Sequence, residues 1–138
     1  MSRRSRGNDF QDWCKKWLEK QYPAMAVHNQ KSVATLIKIP GKGEVWVSKR
    51  NDIFGCVDLV AVSYGTKTMF IQCTLDVSIG RKFKELKEIP WNLFHEDVMV
   101  FQKKGPRRVV VFDMDCTSRE FVKSFEIIGG KVKAKEGS

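Results

Sequence analysis

The chain has 138 residues, 42% hydrophobic and 30% charged, which suits one compact domain and leaves no room for two. It carries 25 Lys and Arg against 16 Asp and Glu, a net charge of +9 that calls for an anionic partner; no apolar run approaches a membrane span. The basic start, Met1 to Arg6, has no apolar core behind it and does not read as a secretory signal, so a cytoplasmic protein is expected.

Residues 1–7 read as a flexible basic arm, 8–128 as the domain and 129–138 as a flexible basic tail. Asn8 opens a first helix, with Phe10, Trp13, Cys14, Trp17 and Leu18 spaced along one face and Pro23 as its stop. Ala24–His28 is a short strand, and Val33–Ile39 and Glu44–Ser48 form a hairpin about the turn at Pro40–Gly43. Cys56–Ser63 and Thr68–Thr74 are nearly continuous apolar runs, the pattern of central strands covered on both faces. Ser78 caps a second helix, Ile79–Ile89, which turns Ile79, Phe83, Leu86 and Ile89 inward and stops at Pro90. Asp97–Gln102 and Arg107–Phe112 are strands, and Glu120–Ile128 fits either a strand or a short helix. Helix, strands, helix, strands describes an α/β fold in which a central mixed sheet is flanked by helices.

Charge is distributed unevenly. Residues 1–50 hold 11 basic and 4 acidic side chains (+7), residues 51–104 hold 7 of each (zero), and residues 105–138 hold 7 and 5 (+2). The middle of the chain therefore concentrates carboxylates among its lysines. The four cysteines, Cys14, Cys56, Cys73 and Cys116, lack the short spacings of a zinc site and read as small buried hydrophobes in a reducing compartment. Trp13 and Trp17 belong to the first helix's apolar stripe, whereas Trp46 and Trp91 are open to base stacking or a subunit interface. His95 reads as a loop or interface residue.

Two central strands carry polar groups inside apolar runs: Asp58 in the first, Gln72 and Thr74 in the second. A carboxylate there is costly unless it is paired, hydrogen-bonded or bound to a metal. Strand periodicity puts Gln72 and Thr74 on one face, and a hairpin between the two runs brings Asp58 opposite them. Asp52, in Asn51-Asp52-Ile53-Phe54-Gly55, adds a second carboxylate on a turn. Each also has a structural reading: Asp52 as a turn former, Asp58 as a buried structural carboxylate, Gln72 as a partner for backbone groups.

The order of these pieces resembles the PD-(D/E)xK nuclease superfamily, most closely its archaeal-type Holliday junction resolvases, viral and phage-borne members included. The helix opened by Gly7-Asn8-Asp9-Phe10-Gln11, the segment Asp52 to Ala61, Phe70-Ile71-Gln72-Cys73-Thr74 and a basic helix carry the likeness, over about Gly7 to Phe112. The resemblance implies a restriction-endonuclease-like core and a metal-dependent endonuclease for branched DNA, the four-way junction above all. It implies Mg²⁺, with Mn²⁺ as a substitute, on Asp58 and Gln72, a catalytic set of Asp52, Asp58, Gln72 and Thr74, and no organic cofactor. The chain departs from the family pattern where Thr74 replaces the usual Lys and Gln72 the commoner acid. Arg81, Lys82 or Lys84 on the second helix are placed to supply the missing cation. At the first-helix acid position stands Gln11, with Asp9 and Asp12 beside it; Asn8-x-x-Gln11 equally fits a helix-capping box.

Arg3, Arg4, Arg6, Lys49, Arg50, Arg81 and Lys82 are the expected grip on the DNA backbone, each with a solvated face as its plainer alternative. A homodimer suits a junction cut on paired strands, and two-fold dimers are the commonest small oligomers. The competing reading is a non-cleaving binder of junctions or structured nucleic acid on the same fold; a small RNA-binding domain is a third.

Overall fold

The computed structural model describes residues 3–22, 25–29, 33–41, 43–49, 57–63, 67–75 and 79–133, with the side chains of 3–6, 33–39 and 44–49 outside that description. The first half runs α1 (Arg3–Gln21), β1 (Ala26–Asn29), β2 (Val33–Ile39), β3 (Gly43–Lys49), β4 (Leu59–Val62) and β5 (Thr68–Thr74). Then follow α2 (Gly80–Lys87), β6 (Glu96–Gly105), β7 (Arg108–Met114), β8 (Phe121–Ile128) and β9 (Lys131–Lys133). Seven strands form one mixed sheet in the order β1-β4-β5-β6-β7-β8-β9, and β2 and β3 pair separately as an antiparallel hairpin.

Within the large sheet β5 and β6 run parallel, and every other neighbouring pair is antiparallel. Parallel strands cannot be joined by a tight turn, and α2 lies in the crossover between them. The two helices cover opposite faces. On one, α1 lays Phe10, Cys14, Trp17 and Leu18 against Leu59, Ile71, Cys73, Met99 and Phe101. On the other, Leu86 of α2, with Trp91 and Leu93 after it, packs on Val57, Val98 and Val100. Each Leu- or Phe-sized side chain so buried stabilises the fold by about 1.5–3 kcal/mol over leaving it in water. This double cover explains the continuous apolar runs of β5 and β6. Among the described residues no helix is long and apolar enough to cross a membrane.

Several boundaries differ from expectation. The helix expected from Asn8 begins at Arg3, so most of the supposed arm 1–7 is helical. Arginine favours helix, and a helix anchored by a packed face extends through neighbours that do not break it. Asn8 is therefore inside α1, which removes the capping-box reading of Gln11. At the other end, Lys131–Lys133 of the expected tail pairs with β8, Ile128 standing opposite Lys131. The two-residue connection is Gly129-Gly130, with φ of 59° and 81°. Positive φ at both positions is what a tight hairpin turn demands and what glycine supplies without strain. Residues 121–128 are a strand, which settles that ambiguity. Strand β4 is shorter than the apolar run Cys56–Ser63, because the chain leaves regular pairing at Asp58. The described part of the second helix has Ile79 at its N-cap with no side-chain cap; Ser78 lies outside the described residues.

Trp13 is 37% exposed, against its expected place in the core, whereas Trp17 is buried as expected. Trp91 is also buried and donates its indole N–H to the Leu86 carbonyl at 2.8 Å, so it is not a free stacking platform. Cys14 and Cys73 are buried hydrophobes, but Cys116 is exposed on the β7–β8 turn. The Trp46 side chain and Cys56 lie outside the description.

One carboxyl is held against its preference. Burial first, and then the Asp97 charge, push Asp113 of β7 up to about 6, and its Oδ1 is buried without a hydrogen-bond partner among the described residues. The folded chain binds this proton more tightly than the unfolded chain, so the penalty is fully present above about pH 6 and fades as pH falls toward the ordinary value of 3.8. Asp113→Asn is therefore expected to raise the unfolding free energy at pH 7.5 by about 1 kcal/mol, discounted for partial exposure, and to change it little at pH 3.5. Urea titrations of both proteins at the two pH values check this; an equal difference at both would remove the electrostatic cause.

Candidate functional site

Among the described residues the buried polar side chains are Asp58, Gln72, Thr74 and Gln102. Gln72 and Thr74 lie on β5, Gln102 on β6 and Asp58 just before β4, and they gather near the C-terminal ends of the parallel pair. Thr74 stands in register with Gln102 of β6, and Gln72 with Val100. Alternation along β5 puts Gln72 and Thr74 on the side of Phe70, the face that α2 covers, with Ile71 and Cys73 on the α1 side. Gln102 shares the side of Val98 and Val100.

Asp58 precedes β4 and joins its end to β5. Its backbone N–H donates to the Ile71 carbonyl at 2.9 Å. Its Oδ2 accepts the Cys73 N–H at 2.8 Å and, at 3.4 Å, a longer contact from Gln72 Nε2. The carboxylate thus replaces a strand carbonyl where β4 leaves the ladder. This also orients the Gln72 amide: its NH₂ turns toward an acceptor-only group, so its carbonyl turns away. That carbonyl oxygen, Oε1, is buried with no hydrogen-bond partner among the described residues. A buried carbonyl left in this way lacks a donor or a cation.

Donor chemistry agrees with a hard cation. Asp58, the Gln72 carbonyl and the Thr74 hydroxyl offer oxygen, which Mg²⁺ prefers, and Mg²⁺ commonly takes only one or two protein carboxylates. Among the described residues no cluster of three His, Cys, Asp or Glu is present. The neighbouring thiol is not a ligand: burial, then a hydrogen bond with Cys14, then the charges of Cys14 and Asp58 push the Cys73 thiol well above its ordinary range. It stays protonated among the apolar side chains of the α1 face.

The other expected residues are dispersed. Asp52 and Arg50 lie outside the described residues. On α1, Gln11 has a buried Oε1 without a partner among the described residues, Asp12 accepts a 3.0 Å hydrogen bond from Asn29 Nδ2, and Asp9 lines a surface cleft. Arg3, Arg4 and Arg6 occupy the first turns of α1 and Lys49 the end of β3, with side chains outside the description. Arg81 is exposed and Lys82 half-buried on α2, on the opposite sheet face from α1. Of the expected grip, Arg81 and Lys82 have described side chains, and both belong to the helix on the α2 face.

Sequence reasoning missed Gln102. Its signal is the same as that of Gln72, an amide closing an apolar run, here Val98-Met99-Val100-Phe101-Gln102. Compared with known proteins, the chain matches no family model, no curated protein and no solved structure.

Proposed function

We propose that this protein is a metal-dependent endonuclease acting on branched DNA, with a four-way junction as its preferred substrate and a homodimer as its working form. The observation that carries the reading is the gathering of Asp58, Gln72 and Thr74, with Gln102, at the C-terminal ends of β5 and β6. Ligand sites in open α/β sheets favour that end of parallel strands. The chain order of α1, Asp58, the Gln72–Thr74 strand and the basic α2 is also the order of the restriction-endonuclease-like core that the resemblance implies.

When bound, Mg²⁺ would offset charge on the scissile phosphate and lower the pKa of a water. Asp58 and Gln72 are the residues to hold it, the Gln72 amide turning over to present its carbonyl on the Asp58 side, with Asp52 as the second carboxylate. The Thr74 hydroxyl, two residues beyond Gln72 on the same face, is suited to a hydrogen bond with the attacking water or a phosphate oxygen. The positive charge that Lys supplies in the family falls to Arg81, Lys82 or Lys84.

A second reading, a DNA binder that does not cut, is favoured by one contact: Asp58 Oδ2 already serves the Cys73 N–H. One experiment separates the two. Purified protein is incubated with a labelled four-way junction, a linear duplex and a single strand, each with Mg²⁺, Mn²⁺ or EDTA. Paired nicks in the junction that require metal are the expected result. Tight junction binding with no cleavage under any metal would overturn the endonuclease in favour of the binder. Preference for an RNA of equal length would overturn both.

A further inference from the structure

On the α1 side of the sheet, across the same strand ends, lies a cleft of about 840 Å³. One wall is α1, through Asp9, Phe10 and Trp13. The other is the end of β6 and its turn into β7, through Lys103, Lys104, Gly105, Pro106 and Arg107, and Gly129-Gly130 closes one end. Leu75, next to Thr74, and Val109 complete the lining, and Lys103 is next to Gln102. The cleft and the buried polar group thus sit back to back, one residue apart on each of two strands.

We propose that this cleft binds an unpaired stretch of DNA, its phosphates on Lys103, Lys104 and Arg107 and a base on the exposed face of Trp13. This rests on the reading of the protein as a DNA-binding enzyme and adds the site and form of the contact. Charge is the first argument. Three basic side chains face one acidic one, Asp9, and all three are exposed with no ion pair among the described residues. Other surface cations are engaged: Lys87 with Glu120, and Arg108 and Lys123 with Glu126. The aromatic floor is the second. Trp13 is 37% exposed and backed by Phe10, the ring centroids 6.2 Å apart at 20°. A base needs only such a π-face, and stacking is indifferent to sequence.

The third argument is that the cleft is built. Trp17 donates its indole N–H to the Gly130 carbonyl at 2.9 Å, which ties the β8–β9 turn to α1. The Gly129 N–H donates to the Arg107 carbonyl at 2.9 Å, and a Cβ on Gly129 would come within 2.9 Å of Arg107 Nη2. Glycine therefore lets the guanidinium lie against the turn at the mouth of the cleft.

The test measures binding of the full chain, in EDTA, to a fluorescent oligo(dT) of 12 nucleotides and to the four-way junction. Lys103→Glu with Arg107→Glu is expected to weaken oligo(dT) binding at least tenfold and to flatten its salt dependence by about 0.7 in slope for each phosphate no longer neutralised. Trp13→Phe is expected to reduce the quenching of intrinsic fluorescence by oligo(dT) at least twofold, with Trp13→Ala weakening binding about tenfold. Gly129→Ala, which changes no charge, should weaken binding severalfold by displacing Arg107. Lys87→Glu, on the α2 side, serves as the charge control and should bind as wild type. Wild-type affinity in the cleft variants, with DNA still bound, overturns the cleft and leaves the enzyme reading intact. Failure of the wild type to bind any DNA overturns both, and tighter binding of oligo(U) than oligo(dT) overturns the DNA assignment.

Discussion

Asp58→Asn is expected to abolish cleavage while leaving the fold and junction binding in place, and Asp58→Ala to damage the fold as well. The two differ because Asp58 accepts the Cys73 N–H and, on the proposed reading, also holds the cation. Asparagine keeps an oxygen that accepts the Cys73 N–H but loses the charge that a cation requires. Cleavage should therefore fall about 10²-fold or more, the scale of losing one preorganised charge-stabilising group. Alanine in addition leaves the Cys73 N–H unsatisfied inside the sheet, a loss of about 2–3 kcal/mol. Urea unfolding of the two variants beside their cleavage rates checks both parts. Equal stability of the two would show that the 2.8 Å hydrogen bond from Cys73 contributes little. Full cleavage by Asp58→Asn would remove Asp58 from the metal site.

Trp17→Ala is expected to lower stability by about 3–5 kcal/mol, the range for losing a large buried aromatic. For a chain of this size that lowers Tm by roughly 10–20 °C. Trp17 lies edge-on to Phe101 at 6.1 Å and stacked near Phe125 at 6.2 Å, so its ring joins α1 to both β6 and β8. Trp17→Phe keeps most of that packing and loses the hydrogen bond to Gly130. It should cost about 1 kcal/mol, because water can reach the released carbonyl. Calorimetry distinguishes the two contributions: a Trp17→Phe loss as large as that of Trp17→Ala would show that the hydrogen bond outweighs the packing of the ring.

The residues most legible in the sequence are those whose periodicity survives packing. The β2–β3 hairpin, β5 and the inward face of α2 follow from alternation, from a continuous apolar run and from the spacing of Ile79, Phe83 and Leu86. Asp58, Gln72 and Thr74 stand out because polar groups in apolar strands need partners. Gln102 is a polar group in an apolar strand too, but its place beside Thr74 depends on a parallel pairing that passes through α2 and leaves no local trace. Lys103 and Lys104 read as ordinary turn residues and Arg107 as the start of a strand until the fold sets them opposite Trp13. Trp13 itself is exposed because α1 buries a narrower stripe than its run of aromatic residues suggests. The start of α1 and β9 escape sequence reasoning for different reasons: helix spreads beyond its packed core, and three residues carry too little pattern to read as a strand.

Strand β9 has a bearing on how two copies can meet. It forms one border of the seven-stranded sheet, and its three residues are exposed. Were two sheets to join there about a two-fold axis through Val132, Lys131 of one copy would face Lys133 of the other, twice over. Like charges directly opposite across a strand pair repel, and lysines on an outer strand are a common guard against such joining. A dimer that cuts paired strands would then be held together elsewhere, with the β8–β9 border turned to solvent and the cleft beside it left open to DNA.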